Sequence, residues 1–269
     1  TIPPAVLEVH RRLKDAGFKA YLVGGCVRDL VLGKQPKDFD LATSAHPPDV
    51  QRVFKKVIPT GIQHGTVTVV VQGQHVEVTT FRSEGDYVDG RRPERVEFHS
   101  DVEADLARRD FTINAMAEDP ITREVVDPFG GRADLDARLI RCVRDPLERF
   151  GEDGLRCLRA VRFATLLEFE IDPATEAAIP PRLHVFKKVA MERVRDELLK
   201  IVASPHVSRG LQLLQRTGLM QAIFGAATVE PGTVATAPPI VELRLAVLLR
   251  QLGVGPERLK LSNAQTERI

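Results

Sequence analysis

The sequence has few cysteines, no excess of charge of either sign and no long apolar run. The spacing of Cys26, Cys142 and Cys157 is neither paired nor metal-like, which argues against a disulfide framework and favours a reduced, cytoplasmic protein with buried thiols. No apolar stretch approaches the roughly 20 residues of a membrane-spanning helix, and no signal peptide is visible. The net charge of +1 predicts no partner by itself, so the placement of basic residues matters more than their sum.

The chain is long enough to bury a substantial core. Its 269 residues are 43% hydrophobic, and this length is typical of about one to two domains. It begins at Thr1 without a methionine and ends inside a helical pattern. We therefore expect it to be part of a longer gene product.

The hydrophobic pattern changes character along the chain. Early segments predict helices at 4–16, 26–33 and 47–56, alternating with strands in AYLVGG, TVTVVV and HVEVTTF, of which the last two form a hairpin around Gly73. Later segments are helical, at 101–117, 132–138, 146–169, 173–180, 190–202, 207–224 and 238–252, with a linker at GAATVEPGTVATAPP. Strands followed by helices predict an α+β head with a helical extension.

A glycine turn in LVGGCVRDL lies between a predicted strand and a predicted helix. Without a Cβ atom at Gly24 and Gly25, backbone N–H groups can approach a phosphate closely. Arg28 stands just inside the helix and can reach the same anion. A glycine pair at such a place is also common in simple tight turns, so this signal is weak alone.

Two aspartates in KDFDLATSA are the second candidate site. In a strand, Asp38 and Asp40 lie on one face while Phe39 lies on the other. Two like charges on one face repel each other unless a cation lies between them, and carboxylates are the ligands that Mg²⁺ prefers. Glu77, on a strand that can pair beside them, is a candidate third carboxylate. The alternative is that the aspartates cap a turn at the edge of the sheet.

Five ordered motifs, LVGGCVRDLVLG…KDFDLATSA, GTVTVVVQGQHVEVTTFR, RRDFTINAMA, DPFGGRADLDARLIR and GEDGLRCLRAVRFA, resemble those of a known family. They are similar to the class II tRNA nucleotidyltransferases, the CCA-adding enzymes, which share ancestry with bacterial poly(A) polymerases. The resemblance runs from about residue 20 to 202. It implies a polymerase-β-type nucleotidyltransferase head at 1–137, a helical neck at 138–204 and a helical body at 205–269 that is incomplete at its C-terminal end.

The same resemblance implies the cofactors and the site residues. Two Mg²⁺ ions, CTP and ATP as substrates and the tRNA 3′ end as primer are expected. Asp38 and Asp40 are the implied metal ligands, with Glu77 as the third catalytic carboxylate. The implied nucleotide-binding residues are Gly24, Gly25, Arg28, Arg109, Asp110, Asn114, Asp153, Arg156, Arg159 and Arg162. For RRDFTINAMA taken alone, a surface ion pair between Arg108 and Asp110 with a buried Ile113 is the simpler interpretation.

The EDGLRCLRAVR segment is expected to select the base of the incoming nucleotide. Asp153 and Arg156 are three residues apart in a predicted helix and therefore neighbours on one face. A carboxylate accepts from an exocyclic amino group and a guanidinium donates to ring atoms, so the pair can imitate a complementary base. In the family, the matching positions accept CTP and ATP and reject UTP and GTP. Gly154, in the first turn, is expected to loosen this template at a cost of up to about 1 kcal/mol.

Several alternatives remain open within and outside this family. Whole CCA addition, addition of C only, addition of A only and poly(A) synthesis share this type of head. The polar segment 83–95 is expected to be a mobile loop that drives the change from C to A. In the family, C-only enzymes tend to carry a shortened loop here, so the resemblance argues against a C-only enzyme. An inactive RNA-binding module is the alternative from another class. Candidate RNA contacts are Arg91, Arg92, Arg95, Lys187 and Lys188.

Overall fold

A computed structural model describes residues 1–84, 87–88, 92–93, 96–226 and 228–269. The chain divides into two compact units, residues 1–86 with 93–137 and residues 87–92 with 138–269. A mixed sheet with helices comes first and a helical region follows, which confirms the predicted α+β class. The further division at residue 204 stays a prediction.

The first unit is built on a mixed sheet. The strands within residues 1–137 are β1 (Ala20–Val23), β2 (Asp40–Thr43), β3 (Val57–Gly61), β4 (Thr66–Val71), β5 (Gln74–Thr80), β6 (Arg82–Glu84), β7 (Tyr87–Val88), β8 (Arg92–Pro93), β9 (Val96–Phe98), β10 (Ala117–Glu118) and β11 (Val125–Val126). Of these, β7 and Arg92 of β8 fall in the segment 87–92 of the second unit. Seven of them form one sheet in the order β11-β10-β1-β2-β5-β4-β3, while β6 pairs with β9 and β7 with β8. Within the sheet, β2 and β5 are parallel, and the other neighbours are antiparallel.

Five short or medium helices complete the first unit. They are α1 (Pro4–Asp15), α2 (Gly25–Val31), α3 (Pro47–Val53), α4 (Val102–Ala107) and α5 (Gly131–Asp136). Helix α1 contacts β1, β4 and β5 and buries Val6, Val9 and Leu13. These residues recur at helical spacing, so burial of one apolar face stabilises both the helix and the sheet.

The second unit is mainly helical. Its elements are β12 (Leu139–Ile140), α6 (Pro146–Glu152), α7 (Leu155–Leu167), β13 (Glu170–Ile171), α8 (Pro173–Ala177), α9 (Ile179–Phe186), α10 (Met191–Ala203), α11 (Val207–Arg216), α12 (Leu219–Phe224), α13 (Pro231–Thr236), α14 (Val241–Leu252) and α15 (Asn263–Thr266). Helix α7 lies at its centre, contacted by α10 and α11. Between residues 155 and 165, only Arg159 of α7 is not buried. Across the described residues, none of the helices is long and apolar enough to span a membrane.

Some predicted elements were wrong in extent. The helix predicted at 101–117 ends at Ala107, and Thr112–Asn114 form one 3-10 turn before β10. The carboxylate of Asp110 accepts the backbone N–H of Phe111 at 2.8 Å. A local bond of this kind competes with helix formation.

Two further differences concern single elements. The segment predicted as a linker contains the helix α13, and β3, an edge strand, was not predicted. The hairpin prediction is confirmed, with Gln72 and Gly73 both at positive φ between β4 and β5. The three cysteines are buried and free, as predicted.

Candidate active site

The end of β1, the start of β2 and the middle of β5 bring the glycine turn, Asp40 and Glu77 together within the sheet. In the antiparallel pair of β1 and β2, Val23 is opposite Asp40, so the turn at Gly24 follows directly beside that carboxylate. In the parallel pair of β2 and β5, Asp40 is opposite Glu77. Residues far apart in sequence therefore meet because β1, β2 and β5 are adjacent.

The strand itself begins at Asp40 and not before it. Asp38 precedes β2, so strand alternation does not orient its side chain, and the expectation that both aspartates share one strand face is corrected. Both side chains are exposed. With Glu77 they line an open cleft of about 580 Å³.

In this cleft the charged forms of the Asp40 and Glu77 carboxyl groups are disfavoured. Desolvation raises the pKa of Asp40, Arg109 partly opposes this rise, and the charge of Asp38 adds to it. The pKa of Glu77 is raised as well, first by desolvation and then by Asp40. A bound cation would relieve this repulsion, because it favours the charged form of each group.

A divalent ion fits the donor chemistry of the pair Asp38 and Asp40, whose oxygens are the ligand type that Mg²⁺ prefers. Among the described side chains, no group of three or more His, Cys, Asp or Glu residues is arranged to hold a metal ion. The role of Glu77 as a third ligand therefore stays a prediction.

The conformation of the glycine turn depends on the absence of a side chain at Gly24. This residue has φ of 76° and ψ of −135°, a combination readily adopted only by glycine. A Cβ atom there would stand 2.8 Å from Nη1 of Arg109. The guanidinium of Arg109 thus lies directly against the turn, and its charge acts on Asp40.

Arg28 connects α2 to the RRDFTINAM segment. Its Nη1 donates to Oδ1 of Asn114 at 2.9 Å, and Nδ2 of Asn114 donates to Oδ1 of Asp110 at 3.3 Å. Asp110 and Asn114 are both buried. The fold thus brings together all six sugar- and phosphate-binding candidates of the first unit, namely Gly24, Gly25, Arg28, Arg109, Asp110 and Asn114.

Sequence reasoning missed Asp105. This buried residue of α4 forms ion pairs with Arg108 at 3.2 Å and Arg109 at 3.1 Å. A carboxylate three and four residues before two arginines is the sequence signal that could have identified it. Arg108 thus pairs with Asp105, although a pair with Asp110 was the simpler expectation.

The template candidates of the second unit are arranged differently from the prediction. Asp153 has an extended conformation between α6 and α7, so the predicted continuous helix is broken there. Its Oδ1 accepts the N–H of Leu155 at 3.0 Å, and its carboxylate pairs with Arg193 at 2.8 Å. The expectation that Asp153 and Arg156 share one helix is wrong.

Arg156 lies inside α7 and is buried. Its Nη1 donates to Oε2 of Glu152 at 2.5 Å and to the backbone oxygen of Arg149 at 3.2 Å. Asp153 and Arg156 nevertheless remain in one turn, because the N–H of Arg156 donates to the Asp153 backbone oxygen at 3.1 Å. Each template candidate is thus held in place by its own partner.

Arg159 and Arg162 face helix α10. Arg162 is buried and bonds to the buried Glu197, and its guanidinium stacks 3.9 Å from the ring centre of Phe163. Arg159 lies 4.0 Å from Glu197. These contacts, with the pair of Arg193 and Asp153, brace α7 against α10. A role of the two arginines toward triphosphate stays a prediction.

Some candidates cannot be placed in this geometry. Most of the predicted loop at 83–95, with the side chains of Arg91, Arg92 and Arg95, lies outside the described residues. Lys187 and Lys188 follow α9 and are exposed.

Comparison with known proteins supplies the relationship. Residues 20–141 match the family model of the poly A polymerase head domain. Residues 168–230 match the model described as the probable RNA and SrmB-binding site of polymerase A. The chain is 47% identical to a CCA-adding enzyme of Lactobacillus gasseri over 82% of its own length and 55% of that protein. It therefore spans about half the length of this relative.

Solved structures show the same similarity. The Bacillus stearothermophilus CCA-adding enzyme in complex with CTP is 38% identical, with a TM-score of 0.82 over 99% of this chain and 68% of that one. A tRNA nucleotidyltransferase complexed with a primer tRNA and an incoming ATP analogue is 26% identical, with a TM-score of 0.75 over 97% and 79%. The chain belongs to the bacterial class II CCA-adding enzymes of the poly(A) polymerase family.

Proposed function

We propose that the protein is a tRNA nucleotidyltransferase that adds C, C and A to the tRNA 3′ end from CTP and ATP. The observation that carries this proposal is the place in the sheet where Asp40 lies beside Glu77 and beside the glycine turn. This arrangement places carboxylates that can hold a metal ion beside a turn that can bind phosphate, and nucleotidyl transfer needs both. The relatives with bound CTP and with primer tRNA support the substrates.

The carboxylates hold the divalent metal in this proposal. Asp38 and Asp40 bind it with exposed side chains at the mouth of the cleft, and Glu77 adds negative charge beside them. Mg²⁺, two ions in the full site, lowers the pKa of the attacking hydroxyl and neutralises the leaving phosphates when bound. The primer 3′-hydroxyl attacks the α-phosphate in line, and pyrophosphate leaves.

The triphosphate and sugar are bound by the turn and the arginines around it. Backbone N–H groups at Gly24 and Gly25 approach the phosphates, and Arg28 and Arg109 supply positive charge on either side. Arg28 also holds Asn114 by a hydrogen bond, so binding of the phosphate by Arg28 and binding of the sugar by Asn114 are coupled. Asp110, bonded to Asn114, orients the amide.

Base selection belongs to Asp153 and Arg156. The carboxylate accepts from the amino group that cytosine and adenine share, and the guanidinium donates to ring atoms. Arg193 and Glu152 hold the two side chains, which favours a defined template over a loose one. Arg159 and Arg162, further along α7, add positive charge for the triphosphate or for RNA phosphates. The neck and body, 138–204 and 205–269, present this template and contact the tRNA.

Primer extension tests the proposal. Three tRNA transcripts, ending before CCA, after C and after CC, are incubated with CTP and ATP separately and together. Extension of all three to full CCA is the expected result. Extension of the CC-ending transcript alone would mean an A-adding specialist, and long A tails would mean a poly(A) polymerase. RNA binding without any incorporation would leave an inactive binding module.

A further inference from the structure

Asp105 is a fully buried anion beside the candidate nucleotide site. Its exposure is 0%. Desolvation alone would raise the pKa of this carboxyl, but Arg108 and Arg109 together lower it below its ordinary value. A buried charge that stays ionised needs partners for both oxygens, and Asp105 has them.

The two oxygens of Asp105 have different partners. Oδ1 accepts from Arg108 at 3.2 Å and from the backbone N–H of Arg82 at 3.3 Å. Oδ2 accepts from Nη2 of Arg109 at 3.1 Å. Oδ2 therefore holds the guanidinium of Arg109, while Oδ1 links Arg108, which follows α4, to Arg82 at the start of β6.

The guanidinium of Arg109 lies close to the glycine turn and within electrostatic reach of Asp40. Its guanidinium lies against the turn, with Nη1 2.8 Å from the place of a Cβ atom on Gly24. Its charge also acts on Asp40, yet among the described side chains its ion pair is with Asp105 and not with Asp40. A guanidinium released from Asp105 would be attracted to Asp40, the carboxyl on which its charge already acts.

We propose that Asp105 is a positioning residue that holds Arg109 against the glycine turn and keeps it from pairing with Asp40. It thereby leaves the Arg109 guanidinium available to the nucleotide and the Asp40 carboxylate available to the metal. This inference rests on the proposed function of the same site. Asp105 acts only through Arg109 and touches neither substrate nor metal.

The test compares Asp105→Asn with two matched variants. Arg108→Gln removes the partner of the other oxygen and leaves the bond to Arg109. Asp119→Asn removes a buried carboxylate elsewhere in the first unit, bonded to Lys14. For each variant, calorimetry gives the affinity for CTP with and without Mg²⁺, kinetics give KM and kcat, and thermal unfolding gives the midpoint.

In Asp105→Asn, we expect CTP affinity to fall about tenfold, since a charge-assisted bond that orders the guanidinium is lost. The Mg²⁺ concentration for half-maximal activity should rise, because Arg109 competes with the metal for Asp40. Arg108→Gln and Asp119→Asn should bind CTP like the wild type even where their unfolding midpoints fall. Combining Asp105→Asn with Arg109→Gln should cause no loss of affinity beyond that of Arg109→Gln alone.

Equal losses in Asp105→Asn and Arg108→Gln would overturn the inference, since Asp105 would then act by holding α4 together. Additive losses in the double variant would overturn it too. If Asp105→Asn does not fold, Asp105→Glu keeps the charge but displaces it, and unchanged CTP affinity in that variant would contradict the proposal. A wild-type protein that bound no nucleotide would remove both this inference and the proposed function, whereas a working wild type with an unaffected Asp105→Asn would remove only the inference.

Discussion

At the scale of the residue, Gly24 meets two separate requirements. Its φ of 76° favours glycine, and its missing Cβ leaves the space that Arg109 occupies. Gly73, in the hairpin between β4 and β5, also has φ of 76° but has no atom within 4 Å of a Cβ position. Substitutions at the two glycines therefore distinguish the effect of the contact with Arg109 from the effect of a positive φ alone.

We predict that Gly24→Ala lowers CTP affinity about tenfold or more, because the new methyl group displaces the Arg109 guanidinium. Gly73→Ala should leave the affinity unchanged. Gly73→Ala should lose about 1–2 kcal/mol of unfolding free energy, the strain of a Cβ at positive φ, and Gly24→Ala should lose more, because its ψ of −135° lies outside the left-handed helical region. CTP titration and urea unfolding measure the two effects, and equal affinities in both variants would refute the role of the contact.

At the scale of the element, the glycine that follows the break between α6 and α7 is required by packing. Gly154 was expected to loosen the template, but a Cβ there would stand 2.6 Å from the backbone of Phe186 in α9. The glycine thus permits close approach of the two backbones, which tightens this part of the second unit. Gly151, near the end of α6, would meet only the end of the Arg182 side chain, at 3.5 Å.

Gly154→Ala is expected to destabilise the protein by about 2 kcal/mol or more, because a backbone cannot yield as a side chain does. Gly151→Ala should be neutral or stabilising by up to about 1 kcal/mol, since alanine is the better helix former. Chemical unfolding of both variants provides the measurement. A Gly154→Ala protein as stable as the wild type would mean that α9 can move away without cost.

At the scale of the whole molecule, the two units carry different parts of the proposed reaction. The carboxylates and the phosphate-binding turn belong to the first unit, and the template pair belongs to the second. Chemistry and base selection should therefore respond to different substitutions.

We predict that Asp40→Ala reduces incorporation of every nucleotide by orders of magnitude, while the protein remains folded. Asp153→Ala should retain incorporation but admit UTP and GTP, because the acceptor for the amino group is lost. Single-nucleotide incorporation with the four triphosphates, together with circular dichroism of each variant, separates the two results. An Asp153→Ala enzyme that still rejects UTP would show that selection resides elsewhere.

The sequence alone was sufficient for the α+β class and for the ordered motifs. Periodicity located β5 and α10 because each buries one face on a regular repeat, and short apolar runs located β1 and β4, which are buried at consecutive positions. Periodicity failed between 108 and 117 and at Asp153–Gly154, where side-chain bonds and close backbone contact decided the conformation. The bond from Phe111 to Asp110 is local but interrupts the helical repeat, whereas the close contact of Gly154 with Phe186 depends on a partner distant in the chain.

What the sequence determined by itself was the set of chemical groups: the glycine turn, the carboxylates and the arginines. What only the tertiary structure decided was their pairing. The adjacency of β1, β2 and β5 put Asp40 beside the turn and beside Glu77. Packing left the buried Asp105 with Arg109, because a charge removed from water takes the partner that the packed elements bring within reach. It also brought Asp153 to Arg193 of α10, in a pair that solvent still reaches.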